Sequence, residues 1–359
     1  MKALVIGGTG PTGPFIVEGL LKKGYHVAIL HRGVHETELP EEVEHIHSDP
    51  HFTESITQAL GTRTFDLVIA MYGRIRHIVP LMKDRTPRLI AIGGLPYQAI
   101  IDGFKNIVGP PIPLSEDAPL VTDESINKFT YLMTLTEQVV MEAHQQRQFE
   151  TVIFRYPMIY GPRQLAPREW SIIRRILDGR KQIIIPNDGL KLLSRGYIEN
   201  MAHAVLLAVD QPDKSAGQIY NVRDERLLSV REWIYLIAAS MGSELEMVSI
   251  PFDLAHPSRP YTGRSHHEVL DINKIKTQLG YRDIVDCEEA IRRTVSWYLT
   301  NRPEPGGEVE RQLGDSFDYD IEDRVIQEYR DFLAPARERV ATGFKYRHPY
   351  PHPKTQENK

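Results

Sequence analysis

Lys2–Gly24 reads KALVIGGTGPTGPFIVEGLLKKG, and this stretch decides the fold. It opens on an apolar run, Ala3 to Ile6, of the length of a buried parallel strand, and breaks into Gly7-Gly8-Thr9-Gly10-Pro11-Thr12-Gly13. Phe15, Ile16, Gly19 and Leu20 then recur at helical spacing, and Gly24 follows where a helix C-cap is expected. Glycines at 7, 10 and 13 between a strand and a helix suit a turn that binds a dinucleotide. Gly7 permits the tight turn, Gly10 lets a pyrophosphate approach the backbone, and Gly13 lets the helix pack on the strand. The helix N-terminus offers free N–H groups and the positive end of its dipole to the phosphates.

Working outward, apolar runs alternate with amphipathic segments as far as Phe154. The expected strands are 2–6, 26–31, 44–47, 67–70, 89–92 and 151–154. A long helix is expected over 124–146, with Leu132, Leu135, Val139 and Val140 as its buried stripe. This alternation predicts an α/β fold, a Rossmann doubly wound parallel sheet with a smaller C-terminal α/β cap domain. Residues 1–160 are read as the dinucleotide-binding core, with parts of 190–225 returning to it, and 161–300 as mainly a substrate-binding cap. Residues 301–359 are read as a linker over 301–314, a helix over 320–339 and an extended tail over 346–359.

The bulk numbers exclude several classes. No apolar run approaches the roughly 18 residues of a membrane span, and the opening run is too short for a signal-peptide core. One cysteine, Cys287, excludes an intramolecular disulfide framework and fits a reducing, cytoplasmic setting. A formal net charge of −5 argues against nucleic acid as a partner and leaves a small-molecule substrate. Of the 14 histidines, the densest cluster outside the tail is His266-His267 with His256. Neighbouring histidines on a strand point to opposite faces and no HExxH appears, so no metal is expected.

After the second strand the chain runs Leu30-His31-Arg32-Gly33, with no carboxylate where an NAD enzyme would hold both ribose hydroxyls. Arg32 stands there instead and can pair with a 2′-phosphate, so NADP(H) is favoured over NAD(H). The expected cofactor set is Gly7, Thr9, Gly10, Pro11, Thr12, Gly13, Arg32, Asp49 beyond the third strand, Ala70 at the end of the fourth, and Tyr156.

The GxxGxxG spacing resembles the short-chain dehydrogenase/reductase superfamily. Arg155-Tyr156-Pro157-Met158-Ile159-Tyr160-Gly161-Pro162-Arg163, Gly196-Tyr197-Ile198-Glu199-Asn200-Met201-Ala202 and Gly217-Gln218-Ile219-Tyr220-Asn221-Val222 resemble, in order, three stretches of its extended, epimerase/dehydratase-like branch. IGGTGPTG followed by HRG also resembles an atypical subgroup that includes chloroplast stem-loop RNA-binding proteins. The resemblance implies that Asp49 meets the adenine amino group and that the chain forms a homodimer through its long helices. It also implies a Tyr and, four residues later, a Lys on the helix after the fifth strand, with a Glu a further four residues on. If Glu137 is that Glu, the positions hold Met133 and Phe129, so the usual Tyr-Lys dyad is absent.

Other phenols are therefore the catalytic candidates: Tyr97, Tyr131 and Tyr72, although Tyr131 lies about 200° around the helix from position 129. His77, Arg163 and Arg195 are candidate substrate contacts. The expected function is an NADP(H)-dependent oxidoreductase or epimerase/dehydratase-like enzyme acting on a small carbonyl or alcohol, with non-standard proton-transfer residues. The alternative is a non-catalytic NADP(H)-binding sensor or scaffold, and behind it an RNA-binding protein.

Overall fold

The computed structural model describes residues 1–33, 37–71, 74–102, 112–255, 264–340 and 349. The first half of the chain gives β1 Lys2–Ile6, α1 Gly13–Lys22, β2 His26–His31, β3 Glu44–His47, α2 Thr53–Leu60, β4 Leu67–Ala70, α3 Ile75–Ile78, β5 Arg88–Gly93, α4 Gln98–Asp102, α5 Lys128–Gln145 and β6 Glu150–Arg155. Then come β7 Met158–Tyr160, α6 Arg168–Leu177, β8 Gln182–Pro186, β9 Leu192–Leu193, β10 Arg195–Tyr197, α7 Ile198–Asp210, α8 Pro212–Ser215 and β11 Gln218–Asn221. The chain continues through β12 Leu228–Ser229, α9 Val230–Ser240, β13 Glu246–Ile250, α10 Asn273–Gln278, α11 Cys287–Thr300, α12 Glu308–Leu313 and α13 Tyr319–Arg339.

Seven strands form one parallel sheet in the order β11-β6-β5-β4-β1-β2-β3. Alternate residues of each strand feed two apolar layers, as strands buried on both faces must. Ala3, Val5, Ile29, Ile69 and Ile90 pack with Ile16 and Leu20 of α1 and Met201 and Val205 of α7. Leu4, Ile6, Leu30, Val68 and Ala91 pack with Ile56 of α2, Ile75 of α3 and Val140 of α5. A third cluster joins α6, β8, α9 and α11 around Trp170, Ile185, Trp233 and Ile291.

The order of strands reverses between β1 and β4, and in open α/β sheets ligands bind beyond the C-terminal ends of the strands at such a point. Ile6 lies opposite Ala70 and Leu30, and Gly93 lies opposite Arg155. The loops beginning at Gly7, Met71, Gly94 and Tyr156 therefore leave the sheet along one edge.

Three local expectations are corrected. The long helix starts at Lys128 rather than 124, because Asn127 caps it, its Oδ1 accepting from the Thr130 N–H at 2.9 Å. Its buried face carries Thr130, Thr134, Glu137, Val140 and Ala143, not Leu132, Leu135 and Val139. The helix is rotated because Arg155 draws Glu137 inward and Thr134 donates to the Val121 carbonyl at 2.8 Å.

The stretch 301–314 is not a bare linker but contains α12. Trp170 Nε1 donates to Glu310 at 2.9 Å, Arg168 donates to the Leu313 carbonyl at 2.7 Å, and Arg175 pairs with Asp315 at 2.7 Å. Met1–Phe317 forms one compact unit and 318–359 a second, whose helix α13 is capped by Asp318. The tail read as extended, 346–359, lies outside the described residues except for 349.

Candidate functional site

The turn at the mouth of α1 is built from backbone. Gly7 adopts φ +89° and donates to the Leu30 carbonyl at 3.0 Å; Gly10 N–H donates to Gly7 O at 3.2 Å and Gly13 N–H to Gly10 O at 2.9 Å. A left-handed φ is costly for any residue with a Cβ, which fixes glycine at position 7. At position 13 the constraint is space, since a Cβ would stand 2.0 Å from the Gly8 carbonyl oxygen. Beyond Gly10 the turn is open: a Cβ there would meet only Gly7 O, at 3.6 Å.

Thr12 makes no side-chain cap to α1, and the first turn has no acidic residue. Its side chain is buried by Tyr156, whose hydroxyl donates to the Met201 carbonyl at 2.8 Å. Burial pushes the Tyr156 phenol well above its ordinary value, partly offset by its hydrogen bond with Thr12. The helix N-terminus is thus left facing the open side of the turn, where Thr9, Gly10 and Pro11 are half-exposed. A turn that presents the bare face of Gly10 beside a helix end with no side-chain cap fits a diphosphate.

At the ends of β2 and β3, Arg32 is exposed and Asp49 half-buried. Asp49 Oδ1 accepts from the His51 N–H at 2.9 Å and from His51 Nδ1 at 2.6 Å. These two bonds, backbone first, hold its carboxyl below the usual range, with the Arg32 charge a smaller contributor. Beside them stands a group absent from the expected set: His31 Nε2 lies 3.0 Å from His45 Nδ1, and the His31 and His47 rings are 4.8 Å apart. The HxH spacing of 45 and 47 was the available signal, because a two-residue period puts both on one face. Among the described residues, no group of three or more His, Cys, Asp or Glu is arranged to hold a metal ion.

Ala70 is fully buried, its side chain in the core, so that only its backbone is left at the end of β4. Beyond it a cavity of about 420 Å³ opens between α3, α5 and the ends of β4 to β6. Met71, Arg74, Ile75 and Arg76 line one side, Ala91 to Gly94 the floor, and Phe129, Leu132, Met133, Thr136, Glu137 and Val140 the α5 side. The α5 positions are spaced as one helical face. Glu137 is committed elsewhere, its two oxygens accepting from Arg155 Nε and Nη2, both at 2.7 Å.

The candidate phenols fare differently. Tyr97 is fully buried, donating to Asn221 Oδ1 at 2.5 Å and accepting from Arg155 Nη1 at 2.7 Å. Burial pushes its hydroxyl up to about 12, against the opposing pull of Arg155. It is a core residue with both hydrogen-bonding roles filled, which corrects its reading as a proton donor. Tyr131 is half-buried and is not among the residues lining the cavity. Tyr72 lies outside the described residues, as does His256.

Arg195 is likewise corrected as a substrate contact. It is buried in an ion pair with Glu169 at 2.6 Å, with its guanidinium over the rings of Tyr160 and Trp233. Arg163 is exposed, with φ +63°, and donates to Thr37 Oγ1 at 2.7 Å. His77 is exposed next to the cavity rim; desolvation, then the charges of Arg76 and Arg74, hold its imidazole below the ordinary range.

Residues 107–222 match the NAD dependent epimerase/dehydratase family. A dTDP-glucose 4,6-dehydratase of Actinoplanes sp. is 27% identical over 168 residues, 46% of this chain and 49% of that protein, so the chain aligns with about half of this relative. The chloroplast stem-loop binding protein of 41 kDa b of Arabidopsis thaliana is 23% identical over 308 residues, 81% of this chain and 77% of that protein. A UDP-glucose 4-epimerase of Thermotoga maritima, solved with UDP-glucose, shares the fold with a TM-score of 0.68 at 18% identity, over 84% of this chain and 100% of that one. Among the described residues, no helix is long and apolar enough to cross a membrane.

Proposed function

We propose, from the premise that this chain belongs to the extended short-chain dehydrogenases/reductases of the NAD-dependent epimerase/dehydratase type, that it is a nicotinamide-dependent enzyme acting on a small carbonyl or alcohol. The observation that carries the reading is the backbone cradle of residues 7–13 facing an uncapped helix N-terminus at the sheet's switch point. In this reading the amides of Thr9 and Thr12 hold the diphosphate, the bare faces of Gly7, Gly10 and Gly13, whose own amides close the turn, let it approach, and Pro11 shapes the turn. Arg32 meets the 2′-phosphate, so NADP(H) is preferred to NAD(H), and Asp49 faces the adenine. The backbone at Ala70 and the Tyr156–Thr12 pair border the far half.

The bound nicotinamide supplies or accepts a hydride. On the register set by Glu137, Phe129 and Met133 take the positions of the Tyr and Lys that the resemblance implies, so α5 gives the site an apolar wall rather than a proton-passing pair. With Tyr97 and Glu137 both committed, the exchangeable proton comes from solvent or from Tyr72. His77 and Arg163 remain the proposed substrate contacts. A cytoplasmic homodimer is the working state, and the net charge of −5 stands against RNA as ligand.

Calorimetric titration with NADPH and NADH, followed by NADPH oxidation over a panel of carbonyl compounds, tests the reading. Binding of NADPH in preference to NADH, with turnover reduced in Tyr72→Phe if that phenol is the donor, is expected. No heat with either coenzyme would refute it, and tight binding without any turnover would favour a non-catalytic binder.

A further inference from the structure

The cavity under α5 has a chemistry of its own. Its volume of about 420 Å³ lies within the range of small-molecule sites, about 300–1,000 Å³. Thr136 is its one uncharged polar side chain among the described lining residues. A sugar ring put there would leave most hydroxyls without partners, a poor exchange for water. The floor suits a flat ring or a branched alkyl group.

The rim is charged, and of one sign. Arg74 and Arg76 both line the opening, and neither makes an ion pair with a carboxylate of the described residues. Among the described residues, Arg74 Nη1 donates to the His51 carbonyl at 3.2 Å, a contact that brings its charge no carboxylate partner. The cavity's single acid, Glu137, is neutralised by Arg155. Two arginines among the lining residues of an otherwise apolar chamber, their charges both acting on His77, attract an anion with an apolar body.

The geometry points to this cavity as a binding site for an amphipathic carboxylate, its ring or branched alkyl body among Ile75, Ala91, Leu132 and Met133 and its acid group between Arg74 and Arg76. This names a substrate class for the function proposed above and rests on that reading. An apolar keto or hydroxy acid would carry its reacting carbon toward Gly93 and Gly94, at the edge where Gly7 and Met71 also leave the sheet.

Calorimetry on the full chain, without coenzyme, uses 4-phenylbutyrate, its uncharged analogue 4-phenylbutan-1-ol, and inorganic phosphate. The acid is expected to bind at least about 10-fold more tightly than the alcohol, the worth of one charge-assisted contact, and phosphate is expected not to displace it. Arg74→Gln with Arg76→Gln, a change at the rim, should bring acid and alcohol to equal affinity. Leu132→Trp, on the half-exposed side of α5, should weaken both by filling the chamber; thermal melts of each variant check folding.

Equal binding of acid and alcohol, full affinity in the double arginine variant, displacement by phosphate, or displacement by NADPH would each overturn the assignment. NADPH titrated into the same samples separates the two proposals. Acid binding with no coenzyme binding would sink the enzyme reading and leave the anion site standing, whereas coenzyme binding with no acid binding would sink the site.

Discussion

The thioether of Met133 rests against the bare face of Gly94. A Cβ built on that glycine would lie 2.7 Å from Met133 Cε and 3.0 Å from its sulfur. The two residues come from different elements, α5 and the loop after β5, and each leaves room for the other. The pair closes the inner end of the cavity with apolar surface.

A double-mutant cycle measures that dependence. Gly94→Ala should destabilise the protein by forcing the thioether aside, and the same change in a Met133→Ala background should cost little. A coupling of about 1 kcal/mol is expected from urea unfolding, in the usual range for residues in direct contact. Additive effects would show that Met133 has room to move away freely.

Gly13→Ala tests the turn. Its Cβ would meet a backbone oxygen at 2.0 Å, and backbone cannot rotate aside as a side chain can. Either α1 lifts from β1 or the turn opens, at a cost of about 1–3 kcal/mol or more. Urea unfolding should report the loss, and NADPH binding should fall with it. Wild-type stability together with wild-type binding would contradict the close packing of Gly13 on Gly8.

Such results bear on what the sequence could and could not disclose. The strands of the parallel sheet were legible because both faces are buried, so that Ala3 to Ile6 or Leu67 to Ala70 read as unbroken apolar runs. The face of α5 was not legible from its own residues. Glu137 points inward only because Arg155, on the following strand, neutralises it, and apolarity alone placed Leu135 and Val139 in the core instead. Arg195 misled for the same reason: its partner Glu169 sits on α6, and no local pattern shows that the two are buried together. The segment containing α12 looked like a linker because Pro and Gly dominate its start, while Glu310 and Leu313, which fasten it, are single residues in a polar stretch. The histidine group needed the β2–β3 register, which sets His31 opposite His47.

Arg32→Glu tests the coenzyme preference. The guanidinium is exposed at the end of β2, so its replacement should leave the core untouched. Reversing the charge removes one or two charge-assisted bonds to a 2′-phosphate and adds repulsion, so NADPH affinity should fall by about 10- to 100-fold while NADH affinity stays or rises. Equal losses for both coenzymes in calorimetry would show that Arg32 does not read the 2′-phosphate.

Asp283 provides a test by pH. Its Oδ1 accepts from the Tyr281 hydroxyl at 3.0 Å and its Oδ2 from the Glu225 N–H at 2.8 Å. Burial first, and the nearby charge of Asp224 second, nevertheless push its carboxyl up to about 7. An unfolded aspartate titrates near 3.9, so between about 4 and 7 the native state holds a proton that the unfolded chain has released. The contribution of this group is therefore fully present at acid pH and is lost as pH rises through 7. Asp283→Asn cannot titrate and forfeits one of the two accepted hydrogen bonds. Relative to wild type it should be least stable near pH 5 and should recover as pH approaches 8, where the wild-type protein carries a buried charge. Urea unfolding of both proteins at the two pH values gives the comparison. A deficit that stays constant or grows toward pH 8 would mean that the carboxyl is already ionised in the native state at pH 5, and that Tyr281 and Glu225 outweigh the burial.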